Sequence, residues 1–175
     1  MPVLHVVVMG VAGCGKSAVG RLIAQQLALP YIEGDDFHPP GNIAKMQQGI
    51  ALDDDDRAGW LDALSGEMAR HPAGAVLACS ALKAAYRDRL RRAASNVRFV
   101  YLAITQAESL RRVRGRAGHF YPPSLVDSQF LALQDPSGEA GVLTLAADAA
   151  LRTLALQVVA WLGAGVDGKG KTSSV

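Results

Sequence analysis

The sequence lacks any apolar run approaching the ~20 residues that a membrane-spanning helix needs. Its N-terminal run, Val3 to Met9, is far too short. That segment also lacks a basic start and a small-residue cleavage site, so it does not read as a secretory signal. A cytoplasmic protein without membrane contact is the expectation. Cysteine is scarce: only Cys14 and Cys79 occur. No CxxC pair and no Cys/His ligand spacing is present, which argues against structural zinc. One disulfide is formally possible, but free thiols in a reducing compartment are the better reading. An excess of one charge is also missing. Eighteen basic residues face 16 acidic ones, for a net charge of +2. Nothing in that balance calls for nucleic acid or an anionic membrane, so any anion must be bound by a local cluster.

What is present suits one globular domain. Half of the 175 residues are hydrophobic and 19% are charged. Val3 to Met9 reads as a strand buried on both faces. Gly10 to Gly15 interrupts it, and Lys16 to Leu27 then repeats apolar residues at helical spacing. Further strands are expected at Tyr31–Glu33, Ala75–Cys79, Val97–Ile104 and, weakly, Val142–Ala146. Helices are expected over 42–48, 56–70, 82–94, 106–115, 123–133 and 149–162. Strands alternating with helices imply an α/β fold with a mainly parallel sheet. The long connections at 34–74 and 105–135 leave the C-terminal ends of strands, where such folds bind substrates.

Gly10-Val11-Ala12-Gly13-Cys14-Gly15-Lys16-Ser17 matches G-x-x-x-x-G-K-[ST] in full. Glycines let successive backbone N–H groups, from Gly10, Ala12, Gly13, Cys14 and Gly15 on to Ala18, curl around a phosphate. The following helix aims its positive end at the same point. Lys16 reaches the β- and γ-phosphates, and the Ser17 hydroxyl can ligate Mg2+. Strand before and helix after are the context this motif requires, so ATP is the expected cofactor.

Carboxylates Glu33, Asp35 and Asp36 follow the second strand, at the sheet edge shared with the phosphate loop. Phosphoryl transfer to a hydroxyl needs a group that orients it and accepts its proton. A carboxylate here can do that, hold Mg2+ through water, or merely solvate a turn. His38 is structural or catalytic. Asp53 to Asp56 has the look of a helix start, and Arg57 breaks the sign with a guanidinium suited to a carboxylate. Trp60 reads as packing. The third strand ends in Cys79-Ser80, without the magnesium-binding Asp common there. Lys83 and Arg87, four apart, share a helix face and either read an anion or are surface charges. Arg111, Arg112, Arg114 and Arg116 precede Gly118-His119-Phe120, a basic segment suited to a mobile lid over ATP. The rival reading, an RNA-binding patch, lacks interleaved aromatics.

Taken together, GVAGCGKS at 10–17, EGDDFHPPGNIAKM at 33–46, LDDDDRAGWL at 52–61, ACSALKAAYRDRLR at 78–91 and GRAGHFYPPSLVDSQFLALQDP at 115–136 resemble the gluconate kinase family of small P-loop kinases, relatives of shikimate kinase. The resemblance spans about residues 5–136. It implies a three-layer P-loop fold like that of nucleoside monophosphate kinases, with a five-stranded parallel sheet and a lid at about 111–122. One kinase domain over 1–162 and a C-terminal tail at 163–175 follow. The implied reaction is transfer of the ATP γ-phosphate to the 6-hydroxyl of D-gluconate, in a homodimer. The implied residues are Lys16, Asp35, Arg112 and Arg116 for catalysis. His38, Arg57, Lys83, Arg87 and His119 would join Asp35 around the substrate, and Ser17 and Glu33, the latter through water, would serve magnesium. Glu33 stands where the family commonly has Asp, and Asp53 where Asn or Thr is usual. A kinase for shikimate or another sugar acid, and a nucleotide-gated binding module, are the alternatives.

Overall fold

Alternation within one short run builds the centre of the molecule. In β1 (Leu4–Met9), Val6 and Val8 point to one face of the sheet, and Val7 and Met9 to the other. All four are fully buried, so the strand must be covered on both sides. A computed structural model describes residues 3–116 and 121–164 and shows how. Five parallel strands lie in the order β2-β3-β1-β4-β5, with β2 at Tyr31–Glu33, β3 at Gly74–Ala78, β4 at Val97–Ala103 and β5 at Val142–Ala146.

One face carries α1 (Lys16–Leu27) and α7 (Leu151–Gly163), packing Ile23, Leu154 and Val158 onto Val6 and Val8. The other carries α3 (Asp54–Ala69) and α4 (Ala84–Arg91), packing Trp60, Leu64 and Leu90 onto Val7 and Met9. This is the expected three-layer α/β architecture. Every strand is parallel, so all five C-terminal ends share one edge. The loops after β1, β2 and β3 therefore converge there.

Three details differ from the sequence reading. Gly34–Phe37 forms a 3₁₀ turn directly after β2. A Cβ at Gly34 would lie 2.3 Å from the Ala78 carbonyl oxygen, so only glycine lets this turn approach β3 so closely. Helix α2 (Pro40–Gln47) begins two residues earlier than expected, with Pro40 in the first turn, where a missing N–H costs nothing. Helix α3 begins at Asp54. Asp53 caps it by accepting from the Asp56 N–H at 2.8 Å, while the Asp56 carboxylate accepts from the Asp53 N–H at 3.0 Å. The acidic run is thus a helix start, and Asn or Thr at 53 would cap equally well.

The remaining helices are α5 (Gln106–Arg114) and α6 (Pro123–Ala132). Arg111 and Arg112, expected at the start of a lid, belong to the last turn of α5. Gly163 belongs to α7 rather than to a tail. Among the described residues, no helix is long and apolar enough to cross a membrane.

Candidate active site

The phosphate loop is held from three sides and left open on the fourth. The Gly10 N–H donates to the Ser80 carbonyl at 3.3 Å, tying the loop to the end of β3. A Cβ at Gly10 would lie 2.8 Å from Cys14 Sγ, in a backbone conformation (φ 145°) that favours glycine. Ser109, fully buried on α5, donates to the Ala12 carbonyl at 2.7 Å. Gln129 on α6 accepts from the Ala12 N–H at 2.7 Å. Helix α1 has no side-chain cap and no acid in its first turn. Its first intrahelical bond is from the Val19 N–H to the Gly15 carbonyl, so the amides of Lys16, Ser17 and Ala18 face the loop without helical partners. A positive helix end without an acidic neighbour is an anion site by construction. The Lys16 ammonium folds over it, donating to the Val11 carbonyl at 3.0 Å.

A cavity of about 390 Å³ opens beside the loop. Lys16 and Ser17 line it together with Asp35, His38 and Arg57. Arg116 and Tyr121 line it from the side of the expected lid. Asp35 rides the 3₁₀ turn with its carboxylate exposed. Arg57 lies 5.8 Å from the centre of the Tyr86 ring, and among the described residues no carboxylate pairs with it. Burial and the neighbouring Arg57 charge lower the pKa of His38 to about 4, so its imidazole is neutral near pH 7. Tyr121 lines the same cavity and is pushed up to about 12, first by burial.

Four residues expected around the substrate or phosphate are engaged elsewhere. Arg87 is completely buried. Its guanidinium donates to the carbonyls of Ala81, Leu82 and Gln134 and to the Glu139 carboxylate, on which Arg91 also closes at 2.6 Å. This network joins α4 to the chain after α6, and none of its side chains lines the cavity beside the phosphate loop. It also explains why α4 begins at Ala84 rather than at 82: the Ala81 and Leu82 carbonyls turn toward Arg87, with Ala81 at φ 45°. Lys83 caps α4 and pairs with Asp54 at 2.7 Å, on the flank of α3. Arg112 binds Glu108 at 2.8 Å, the Gly13 carbonyl at 3.3 Å and the Ala147 carbonyl at 3.1 Å, bracing the phosphate loop from behind. Together with Arg111 it holds the Glu108 carboxyl down to about 2. Two of the four arginines are therefore engaged within α5, where the single Glu108 charge offsets one of their two. Glu33 accepts from the Tyr31 hydroxyl at 2.7 Å, with Arg21 3.6 Å away. His119 lies outside the described residues.

The Arg87 geometry makes a stability prediction in place of a binding one. Arg87→Met leaves three carbonyls and a carboxylate without their donor. Removing one member of a buried pair costs about 3–5 kcal/mol. Denaturant titration should show that loss, while substrate KM per folded molecule changes little.

Several site residues carried no readable signal in sequence. Gln129 lies 117 residues from Ala12 in sequence, and its amide nitrogen donates to the Tyr121 hydroxyl at 2.7 Å. Trp60, read as packing, also donates from its indole to the Gly34 carbonyl at 2.8 Å and stacks on His38. Asn42 is buried beside them.

Comparison with known proteins agrees with this geometry. The shikimate kinase family model matches residues 12–129. The thermosensitive gluconokinase of Escherichia coli K12 is 42% identical over 136 residues, covering 76% of this chain and 73% of that protein. The gluconokinase of Gluconobacter oxydans 621H is 41% identical over 146 residues, covering 81% and 82% respectively. The crystal structure of a gluconokinase from Sinorhizobium meliloti 1021 superposes with a TM-score of 0.84 at 42% identity, covering 91% of each chain. A full phosphate-loop motif on a five-stranded parallel sheet, and this similarity along most of the chain, lead to one conclusion: the chain belongs to the gluconokinase family of ATP-dependent P-loop kinases.

Proposed function

We propose that this chain transfers the γ-phosphate of ATP to the 6-hydroxyl of D-gluconate, giving 6-phospho-D-gluconate and ADP. One observation carries the reading: one cavity is lined by the phosphate-loop cation Lys16, by the exposed Asp35 carboxylate and by the Arg57 guanidinium, which has no carboxylate partner among the described residues. Lys16 suits a phosphoryl donor. Asp35 and Arg57 suit an acceptor that is both hydroxylated and anionic.

The roles follow from position. Lys16 and the amides of α1 hold the β- and γ-phosphates. Asp35 orients the attacking hydroxyl and takes its proton as the bond to phosphorus forms. Arg57 pairs with the gluconate carboxylate. Arg116, beyond the end of α5, lines the same cavity and is the guanidinium placed to meet the transferring phosphate.

Mg2+ fits this arrangement as the companion of the nucleotide. No group of three metal-ligating His, Cys, Asp or Glu side chains occurs among the described residues. A magnesium ion carried on phosphates keeps most of its waters and needs only one or two protein oxygens. Ser17 supplies one from the mouth of the phosphate loop. Glu33 lies close by, held by the Tyr31 hydroxyl, and reaches the ion only through water. When bound, the ion neutralises charge on the phosphate oxygens. The resemblance extends the reading to a homodimer acting in the cytoplasm, and light scattering checks the first part.

The test is an assay of ADP release with gluconate, shikimate, glucose, other sugar acids and nucleoside monophosphates. Gluconate should be the best substrate. A preference for shikimate, the acceptor named in the family model, would replace the proposal. Arg57 gives the sharper prediction. A hydrogen bond to a charged group is worth about 1.5–3 kcal/mol. Arg57→Ala should therefore raise the gluconate KM about 10–100-fold and leave the ATP KM nearly unchanged. Glucose, without a carboxylate, should be a poor substrate of the native chain, because it leaves the guanidinium unpaired. Equal kcat/KM for glucose and gluconate would remove Arg57 as the specificity element.

A further inference from the structure

His38 lines the cavity beside Asp35, yet its side chain is only 5% exposed. Three neighbours determine how it is presented. Its ring stacks on Trp60 with centroids 4.4 Å apart and planes 11° from parallel, which holds the plane of the ring. Trp60 is itself anchored, because its indole N–H donates to the Gly34 carbonyl that opens the Asp35 turn. The third neighbour, Asn42, is 4% exposed and settles where the ring proton sits.

Asn42 Nδ2 lies 2.8 Å from the Asp56 carbonyl oxygen. A peptide carbonyl only accepts, so the atom facing it must be the amide NH₂. That nitrogen has a second hydrogen, and His38 Nδ1 lies 3.3 Å away. Nδ1 must therefore accept. In a neutral imidazole the one ring proton is then on Nε2, the nitrogen that faces Asp35 Oδ1 at 4.0 Å.

We infer that Asn42 is a positioning residue that locks His38 as its Nε2–H tautomer, so that the acceptor wall offers a fixed N–H donor beside the Asp35 acceptor. Such a pair reads neighbouring hydroxyls on a polyhydroxy chain. Asp35 accepts from the reacting hydroxyl, and Nε2–H donates to the oxygen of the adjacent one. The neutrality of the ring matters, because an imidazolium there would pair with Asp35 and compete for the lone pair that receives the substrate proton. The low pKa of His38 agrees with this assignment. Burial disfavours the charged ring first, and the neighbouring Arg57 charge adds to it. The inference rests on reading this cavity as the acceptor site of a sugar-acid kinase.

The experiment has a spectroscopic arm and a kinetic arm. Long-range proton–nitrogen NMR of the full chain at pH 7, with His38 assigned by substitution, should show a protonated Nε2 and a bare Nδ1. Asn42→Leu should lose that single tautomer. It should also raise the gluconate KM about tenfold, the worth of one hydrogen bond, with the ATP KM unchanged. If Asn42→Leu does not fold, His38 itself serves. His38→Gln carries an N–H to the Nε2 position and should retain more gluconate kcat/KM than His38→Leu. A protonated Nδ1 in the native chain overturns the inference. So does a native gluconate KM in a folded Asn42→Leu chain, or equal activity of His38→Gln and His38→Leu. The NMR arm needs no substrate. A failed tautomer with intact gluconate turnover therefore sinks only this inference, and absent gluconate turnover sinks the functional reading instead.

Discussion

Lys16→Ala should keep its fold and lose at least about 10²–10³-fold in kcat, the usual cost of deleting one preorganised electrostatic contact to a transition state. The ammonium is the only side-chain cation contributed by the phosphate loop itself, and it hangs over the loop from the first residue of α1. The loss should fall on kcat more than on ATP affinity, because the backbone amides of α1 still hold the nucleotide. Stability should move little or rise. Among the described residues no carboxylate pairs with Lys16, so the native charge sits near a positive helix end without compensation. Steady-state kinetics and a melting curve on one preparation check both halves. A folded Lys16→Ala enzyme with a near-native rate would remove the phosphate loop from the chemistry.

Asp35→Asn carries the second large effect. The substitution keeps the shape and one acceptor oxygen but discards the charge. If Asp35 takes the proton of the 6-hydroxyl, kcat should fall about 10²–10⁴-fold, the range for general base catalysis. A loose phosphoryl transition state asks for little proton removal early on, which favours the lower end of that range. The melting temperature should not change, because the Asp35 side chain is 83% exposed and, among the described residues, its one ion-pair contact is His38 at 4.0 Å. ATP affinity should also hold, since Ser17 and the phosphate loop are untouched. A stable Asp35→Asn chain with native kcat would exclude Asp35 as the base and move attention to Asp36, in the same turn.

Much of the architecture was legible before any coordinates. Helix α1 occupies Lys16–Leu27 as its apolar spacing predicts, and β5 occupies Val142–Ala146 although its pattern is weak. The acidic run at 53–56 was recognisable as a helix start because capping is chemistry between neighbours three residues apart. The start of α4 was not legible, because residues 81–83 are held out of the helix by Arg87 from within and by Gln134 from 50 residues away. The 3₁₀ turn at Gly34–Phe37 depends on a gap beside Ala78 that only glycine fits, and that gap exists only once β2 has paired with β3.

The sequence by itself determined the phosphate loop, and the tertiary structure alone decided which charges face the acceptor. Such a loop is built from the backbone of neighbouring residues, so spacing along the chain sets its shape. A guanidinium at the end of a long flexible stem has no such constraint and meets whichever acceptor the fold brings within reach. Arg57 and Arg87 read alike in sequence. Packing set one against the cavity without an acid partner among the described residues, and buried the other on Glu139, 52 residues further along the chain.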